Sequence, residues 1–146
     1  MDTKYRETLR KALNIRHNVF IDYPEGRTKP PVPVISLDDV LDNLTSNVIF
    51  FATSNIESGN IASLFKKVMP NGVKFVPKIE SARGIENIVD ICDKCSPQYI
   101  MLDTEDLFTD LNGNIEKFEY YIKKIEDFCS KNNVKIFKIN GVVFSD

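Results

Sequence analysis

Short apolar runs alternate with stretches of helical spacing along the second two-thirds of the chain. The runs are rich in β-branched and aromatic residues, and they predict strands at residues 47–52, 73–80, 99–102 and 134–139. Between them, apolar residues recur at helical spacing and predict three helices, with stripes at Ile61, Leu64, Phe65 and Val68, at Ile85, Ile88, Val89 and Cys92, and at Ile115, Phe118, Ile122, Ile125 and Cys129. Strands that alternate with amphipathic helices pair in parallel, so the pattern predicts an α/β fold.

Residues 1–46 carry weaker signals and form a poorly defined N-terminal segment. Residues 3–14 predict a short, mostly polar helix, and residues 18–22 give only a weak strand signal. Four of the seven prolines lie within residues 23–33, which predicts a loop or linker. The regular alternation of strands and helices therefore begins at residue 47.

Polar side chains stand where each of the four predicted strands ends. In the run at 73–80, Val76, Lys78 and Glu80 share one face, because successive strand side chains alternate. Charged groups at the end of a buried strand need partners or a role. Ligands of parallel α/β folds bind at the carboxyl ends of the strands. We therefore expect a site among the groups at these ends, which are Ser54 and Asn55, Lys78 and Glu80, Asp103 to Asp106, and Asn140.

Composition and charge limit the class of function. The 146 residues fit one domain, and a net charge of −2 gives no basic surface for nucleic acid and no polybasic patch for membranes. No apolar stretch approaches the roughly 20 residues of a transmembrane helix, and the N-terminus is too polar for a signal peptide. Three cysteines without a secretion signal favour reduced thiols. We expect a cytoplasmic protein without nucleic-acid or membrane partners.

The motifs of the central region resemble those of a known enzyme family. The run PKIESARGIENIVDI resembles the hydroxy-oxo-acid aldolase and citrate lyase beta-subunit family, in which a strand ends in a glutamate before Thr/Ser-Ala-Arg-Gly and a helix. CSPQYIMLDTEDLFTDL resembles the family's next strand with its Glu-Asp-Leu signature, and INGVVFSD resembles the stretch after the following helix. Lys78-Ile79-Glu80 also resembles the Lys-Ile-Glu of pyruvate kinase, a member of the same phosphoenolpyruvate/pyruvate barrel superfamily.

The resemblance implies a partial or truncated (β/α)8 TIM-type barrel over residues 47–146. It implies a carbon–carbon lyase or aldolase that acts on a small 2-oxo acid or an acyl thioester through an enolate. Glu80 and Asp106 match the family's two carboxylate ligands for Mg²⁺ or Mn²⁺, and hard divalent cations prefer such oxygen ligands. Lys78, carried over from pyruvate kinase, would stabilise developing negative charge. Arg83 matches the motif arginine, with either a catalytic or a structural role.

Departures from the family pattern leave a second interpretation open. A complete barrel has eight strands and about 250 residues, and residues 1–46 show no clear version of the family's early strands. Asp103 stands where the family has glycine. The alternative is a catalytically impaired barrel fragment that acts as a binding or assembly module. Unpaired strand edges favour association, either as a homo-oligomer or with a partner chain that completes the barrel.

Simpler roles remain open for single residues. Glu80 and Asp106 would ordinarily be surface or helix-start acids, and Lys78 would form a salt bridge with Glu80 or Asp103. The pair Cys92-x-x-Cys95 has no second pair with which to complete a structural zinc site. Cys92 is therefore interpreted as a core residue.

Overall fold

The described part of the protein is built around a sheet of five parallel strands. The computed structural model describes residues 3–15, 19–26 and 35–139. In chain order the elements are α1 (Thr3–Ile15), β1 (Val19–Tyr23), α2 (Leu37–Asp42), β2 (Val48–Thr53), α3 (Gly59–Val68), β3 (Lys74–Ile79), α4 (Ala82–Glu86), α5 (Ile88–Cys95), β4 (Tyr99–Asp103), α6 (Thr104–Asp110), α7 (Ile115–Lys131) and β5 (Lys135–Ile139). The strands lie in the order β1-β2-β3-β4-β5, and every neighbouring pair is parallel.

The α/β fold expected from the alternating pattern is confirmed. The four strands predicted from residue 47 onward are β2 to β5, and helices connect them. The weakly predicted run at 18–22 is also a strand, β1, which pairs with β2 from Val19 opposite Val48 to Tyr23 opposite Thr53. The strands lie side by side in chain order, as in a β/α barrel and unlike a doubly wound sheet, so the fold is part of such a barrel.

The main hydrophobic core lies between the sheet and the helices that pack on one of its faces. From the strands, it contains Phe75, Ile79, Ile100 and Leu102, and from the helices Ile85, Ile88, Ile91, Leu107, Ile125 and Cys129. A smaller core joins α1 and α2 to the sheet through Leu9, Val40, Tyr23 and Phe51. The N-terminal helices therefore pack on the same sheet as the rest of the chain.

The helix predicted over the stripe at 85–92 is two helices. The break falls at Asn87, whose side-chain Nδ2 donates a hydrogen bond to the carbonyl of Glu57 at 2.8 Å. Ile85 and Ile88 are buried as predicted. Val89, however, is 55% exposed, and Ile91 takes the inward position instead. The predicted stripe is wrong at Val89, because the break turns a different side of α5 toward the core. Cys92 is half-buried and packs against the core, as predicted.

Helix α7 follows its predicted stripe most closely in its second half. Ile125 and Cys129 are buried, and Phe118 and Ile122 are half-buried. Ile115 is 63% exposed and lies in the first turn. The helix therefore anchors to the core through its C-terminal turns.

The other face of the sheet carries four aromatic rings, which we call the aromatic cluster: Phe20, Phe50, Tyr99 and Phe137. The rings of Tyr99 and Phe137 stack with centroids 4.7 Å apart, and the ring of Phe50 contacts both. The ring of Phe20 on β1 lies 5.9 Å from that of Phe137 on β5, within the range of attractive ring contacts. Because β1 and β5 are the two edges of the sheet, the sheet is curved and this face is concave.

The rim at the carboxyl ends of the strands is described from β1 to β4. Asn140, predicted as a strand-end group, lies outside the described residues together with residues 141–146. None of the helices in the described ranges is both long and apolar enough to cross a membrane.

Candidate functional site

Charged side chains converge at the carboxyl ends of β1, β3 and β4. Lys78 and Glu80 follow Val76 along β3, as strand alternation predicts, and they are only 5% and 7% exposed. Val76 itself packs with Ala52 and Met101 on the concave face. Burying charged groups costs free energy unless opposite charges or hydrogen bonds compensate. The partners of Lys78 and Glu80 therefore define the site.

The amino group of Lys78 lies among three carboxylates. Its Nζ donates a hydrogen bond to Oδ2 of Asp22 at 3.0 Å. Oε1 of Glu80 and Oδ2 of Asp103 each lie 3.9 Å from the same nitrogen. The salt bridges expected with Glu80 and Asp103 are present, but the shortest contact is with Asp22. Lys78 therefore joins the ends of three strands.

A backbone amide from the neighbouring strand holds the Glu80 carboxylate. The N–H of Asn55 donates to Oε2 of Glu80 at 2.6 Å. Asn55 has a φ of 59°, in the left-handed region that asparagine adopts more readily than most residues. Its side-chain Nδ2 also donates to the carbonyl of Glu25 at 2.8 Å. The turn after β2 is thereby fixed with its amide directed at Glu80.

Two aspartates, one at the end of β4 and one in α6, complete the group of acids. Asp103 is the N-cap of α6, because its Oδ1 accepts a hydrogen bond from the N–H of Asp106 at 3.0 Å. Glu80, Asp103 and Asp106 each offer one carboxylate oxygen, and these oxygens all lie within 4.8 Å of one another. We call these three residues the carboxylate cluster. The structure therefore brings together Glu80 and Asp106, the two residues that the resemblance proposed as metal ligands.

The environment of the cluster raises the pKa of Glu80 from 4.5 to about 7. Burial is the largest cause, because it disfavours the charged carboxylate. The hydrogen bond from the Asn55 amide and the charge of Lys78 lower this pKa, whereas the hydrogen bond with Asp106 and its negative charge raise it. Near neutral pH Glu80 therefore holds a proton for part of the time. A bound divalent cation would stabilise its charged form instead.

The Ser-Ala-Arg-Gly motif closes the turn below Glu80. Ser81 is the N-cap of α4: its hydroxyl accepts a hydrogen bond from the N–H of Gly84 at 3.1 Å and donates one to Glu57 at 3.0 Å. Gly84 is buried, and a Cβ there would lie 3.0 Å from the carbonyl oxygen of Ile56 and 3.2 Å from Cγ2 of Ile79. The motif therefore lets α4 approach the strand ends closely.

Arg83 is the one predicted catalytic residue with an exposed side chain. It lies in α4, in the turn that follows the carboxylate cluster, and its carbonyl accepts a hydrogen bond from the N–H of Asn87. This position favours the structural role that the sequence left open. Its catalytic role stays a prediction.

Asp22 is the site residue that sequence reasoning missed. It lies on β1, the strand with the weakest sequence signal, and its carboxylate makes the shortest ion pair of Lys78. One signal was present, because the apolar run at 18–22 ends in an acid, as do the runs before Glu80 and Asp103. The acid at the end of β1 belongs to the same rim.

Solved structures with the same arrangement of strands and helices include the enzymes that the motifs suggested. An HpcH/HpaI aldolase/citrate lyase family protein from Burkholderia cenocepacia J2315 matches with a TM-score of 0.56 and 13% identity, over 64% of this chain and 51% of its own. A pyruvate kinase from Cryptosporidium parvum matches with a TM-score of 0.60 and 23% identity, over 75% of this chain and 24% of its own. RipC from Yersinia pestis matches with a TM-score of 0.67 and 14% identity, over 97% of this chain and 66% of its own.

The fold of this chain is therefore shared with part of each of these proteins. At these identities the likeness concerns the fold, and the chain spans about half the length of the aldolase/citrate lyase family protein. No protein-family model matches the sequence, and a comparison with curated proteins gives no match.

Proposed function

We propose that the protein is a carbon–carbon lyase or aldolase that uses Mg²⁺ or Mn²⁺ and acts on a small 2-oxo acid or an acyl thioester through an enolate. The observation that carries the proposal is the carboxylate cluster beside a buried lysine. Glu80 and Asp106 are the proposed metal ligands, and Asp103 offers a third oxygen within 4.8 Å of theirs. Lys78 is the proposed electrostatic partner of the substrate.

The donor atoms of the cluster suit a hard divalent cation. All three are carboxylate oxygens, which Mg²⁺ and Mn²⁺ prefer over nitrogen or sulfur. Burial, and to a smaller extent the neighbouring Asp106, raises the pKa of Glu80, so its charged form is costly without a cation. The cluster also lies at the carboxyl ends of parallel strands, where β/α barrels bind their ligands. A bound ion would supply Lewis-acid stabilisation of negative charge on the substrate's 2-oxo oxygen.

Lys78 and its neighbours would act on the same developing charge. When the bond between C3 and C4 of a 2-oxo acid breaks, its electron pair passes into the enolate of C2 and C3, and the C4 fragment leaves as a carbonyl compound or as CO2. The Lys78 amino group, 3.9 Å from both Glu80 and Asp103, places a positive charge at the rim where that enolate would form. The Asn55 amide orients Glu80 by its hydrogen bond of 2.6 Å. These groups are fixed before substrate binds, which is how preorganised sites stabilise charge.

The name of one structural neighbour agrees with this class of reaction, whereas a second neighbour is named as a different kind of enzyme. One is an aldolase/citrate lyase family protein and another is a pyruvate kinase. Because the chain spans about half of the first and about a quarter of the second, the carry-over of lyase chemistry is part of the proposal. It rests on the position of Glu80, Asp106 and Lys78 at the strand ends.

Metal titration followed by a turnover assay tests the proposal. Mn²⁺ binding is measured by calorimetry for the wild type, for Glu80→Gln and Asp106→Asn, and for Glu105→Gln. Glu105 is an exposed acid on the same helix as Asp106 and serves as the matched control. We expect binding by the wild type and the control, tighter with pyruvate present, and its loss in the two cluster variants. The purified wild type and Glu105→Gln should also cleave oxaloacetate, whereas Glu80→Gln and Asp106→Asn should not. Equal binding by all four proteins would overturn the proposal.

A binding or assembly role is the second candidate. The described part of the sheet has five strands, and β1 and β5 each have a neighbour on one side only. Open strand edges offer backbone groups to further strands. We propose that, if turnover is absent, the chain serves as a barrel fragment that pairs with a second copy or with a partner chain. Light scattering coupled to size exclusion would show an oligomer, and a monomer at all concentrations would exclude self-association.

A further inference from the structure

Asp22 makes the closest contact of the buried Lys78 amino group. The distance from Nζ to Oδ2 of Asp22 is 3.0 Å, against 3.9 Å to each of Glu80 and Asp103. Only the first of these is a hydrogen bond. A lysine has three donors and a flexible stem, so its position among several carboxylates depends on which of them accepts a direct bond. The direct bond here draws the amino group toward β1.

The sheet register explains how Lys78 reaches a residue two strands away. Asp22 is opposite Ala52 on β2, and Ala52 is opposite Val76 on β3. Residues paired in register share a face, so Asp22 lies on the same face of the sheet as Val76. Lys78 is on that face too, two residues further along β3 than Val76. Ala52, the residue of β2 between them, is fully buried and has a small side chain.

We infer that Asp22 is a positioning residue that holds Lys78 off the carboxylate cluster and so keeps the cluster open to a divalent cation. The inference rests on the proposed metal site. Without the Asp22 carboxylate, the nearest charged acceptors for the Lys78 amino group are Glu80 and Asp103. A lysine bonded to them occupies their oxygen lone pairs and repels a cation. β1, from the weakly predicted N-terminal segment, would thereby control the metal affinity of residues on β3 and α6.

A double-mutant cycle on metal affinity tests this role. Mn²⁺ binding is measured by calorimetry for the wild type, Asp22→Asn, Lys78→Met and the double variant, with folding checked by circular dichroism. Asp22→Asn should weaken binding at least about tenfold, the size expected when a charged hydrogen bond is redirected. In the Lys78→Met background the same substitution should change binding by less than about twofold, because no lysine remains to move.

Two further variants separate positioning from net charge. Glu25→Gln removes a negative charge three residues further along the same rim and should leave Mn²⁺ affinity near the wild-type value. Asp22→Glu keeps a carboxylate and should bind Mn²⁺ nearly as well as the wild type. An equal loss from Asp22→Asn with and without Lys78 would overturn the inference in favour of a simple charge effect, and no loss would also overturn it. Absence of Mn²⁺ binding in the wild type would instead reject the proposed metal site.

Discussion

The backbone amide of Asn55 donates a hydrogen bond of 2.6 Å to Oε2 of Glu80 and so ties the turn after β2 to the end of β3. The bond depends on the left-handed backbone of Asn55, with φ at 59°. Asparagine tolerates this conformation, whereas a β-branched side chain in it is strained. The conformation of one turn residue therefore fixes the orientation of the most buried acid of the cluster.

Substitution of Asn55 should separate the backbone effect from the side-chain effect. We expect Asn55→Val to lower the free energy of unfolding by about 1–2 kcal/mol, because valine resists a positive φ. Asn55→Gly keeps both the amide and the conformation and loses only the side-chain bond to Glu25, so its loss should be smaller. Urea unfolding of the three proteins measures the difference. A glycine variant as unstable as the valine variant would contradict this explanation.

The raised pKa of Glu80 makes stability depend on pH in the metal-free protein. Between 4.5 and about 7 the folded state holds a proton that the unfolded state lacks. The resulting stabilisation is complete below about pH 4.5 and is lost as pH rises through about 7, on the order of 2–3 kcal/mol. Glu80→Gln, which is neutral at every pH, should remove this dependence.

Urea unfolding at pH 5 and pH 8 with a chelator present measures the effect. The wild type should lose more unfolding free energy between the two values than Glu80→Gln does. Glu105→Gln changes an exposed acid on α6 and should behave as the wild type. Identical pH dependence in the wild type and Glu80→Gln would show that Glu80 ionises normally.

The same proton should compete with the proposed cation. A carboxylate must lose its proton before it ligates a metal. With the pKa of Glu80 at about 7, we expect Mn²⁺ affinity to fall about tenfold from pH 8 to pH 6. Calorimetry at both values measures it, with Glu105→Gln as the control. Affinity that is constant over this range would mean that Glu80 is not a ligand.

Gly84 should tolerate no larger side chain without loss of stability. An alanine Cβ would lie 3.0 Å from the backbone oxygen of Ile56, which cannot move without shifting the turn after β2. We expect Gly84→Ala to lower the unfolding free energy by about 1–3 kcal/mol. Asp93→Ala, at an exposed position of α5, should change it by less than about 0.5 kcal/mol. Equal unfolding midpoints for the two variants would contradict the close approach.

The three cysteines should be unreactive in the folded protein. Burial raises the pKa of Cys92 to about 12 and those of Cys95 and Cys129 to about 11. The thiolate is the reactive form, so little of it is present at pH 8. We expect iodoacetamide to label none of the three in the native state and all three in urea, as counted by mass spectrometry. Rapid native labelling of Cys92 and Cys95 would contradict this prediction.

The carboxylate cluster was predictable because its signals are local. Lys78 and Glu80 follow a strongly β-type run, so strand alternation alone puts them on one face. Asp106 follows the next such run, and the carboxyl ends of parallel strands lie at one rim. Two runs with clear patterns therefore specify the meeting of Glu80 and Asp106 without any knowledge of the helices between them.

The contribution of β1 and the break at Asn87 were not predictable, because both depend on contacts between residues distant in sequence. The run at 18–22 is short, and only its pairing with β2 brings Asp22 to Lys78. Around Asn87, Val89 fits a helical stripe as well as Ile91 does. Packing decides between them: the amide of Gly59 on α3 donates to Asp90 at 2.8 Å, and a Cβ at Gly59 would lie 2.5 Å from the same carboxylate. The spacing of apolar residues in the sequence does not reveal such a close contact between helices.

The contact between Phe20 and Phe137 links the two edges of the curved sheet. Rings from β1 and β5 meet across the concave face of the sheet, so contacts within the chain support its curvature. A strand that pairs with β1 or β5 would meet an edge whose curvature is already set. These edge strands lose their conformational entropy during folding, so less conformational entropy is lost when another strand pairs with them.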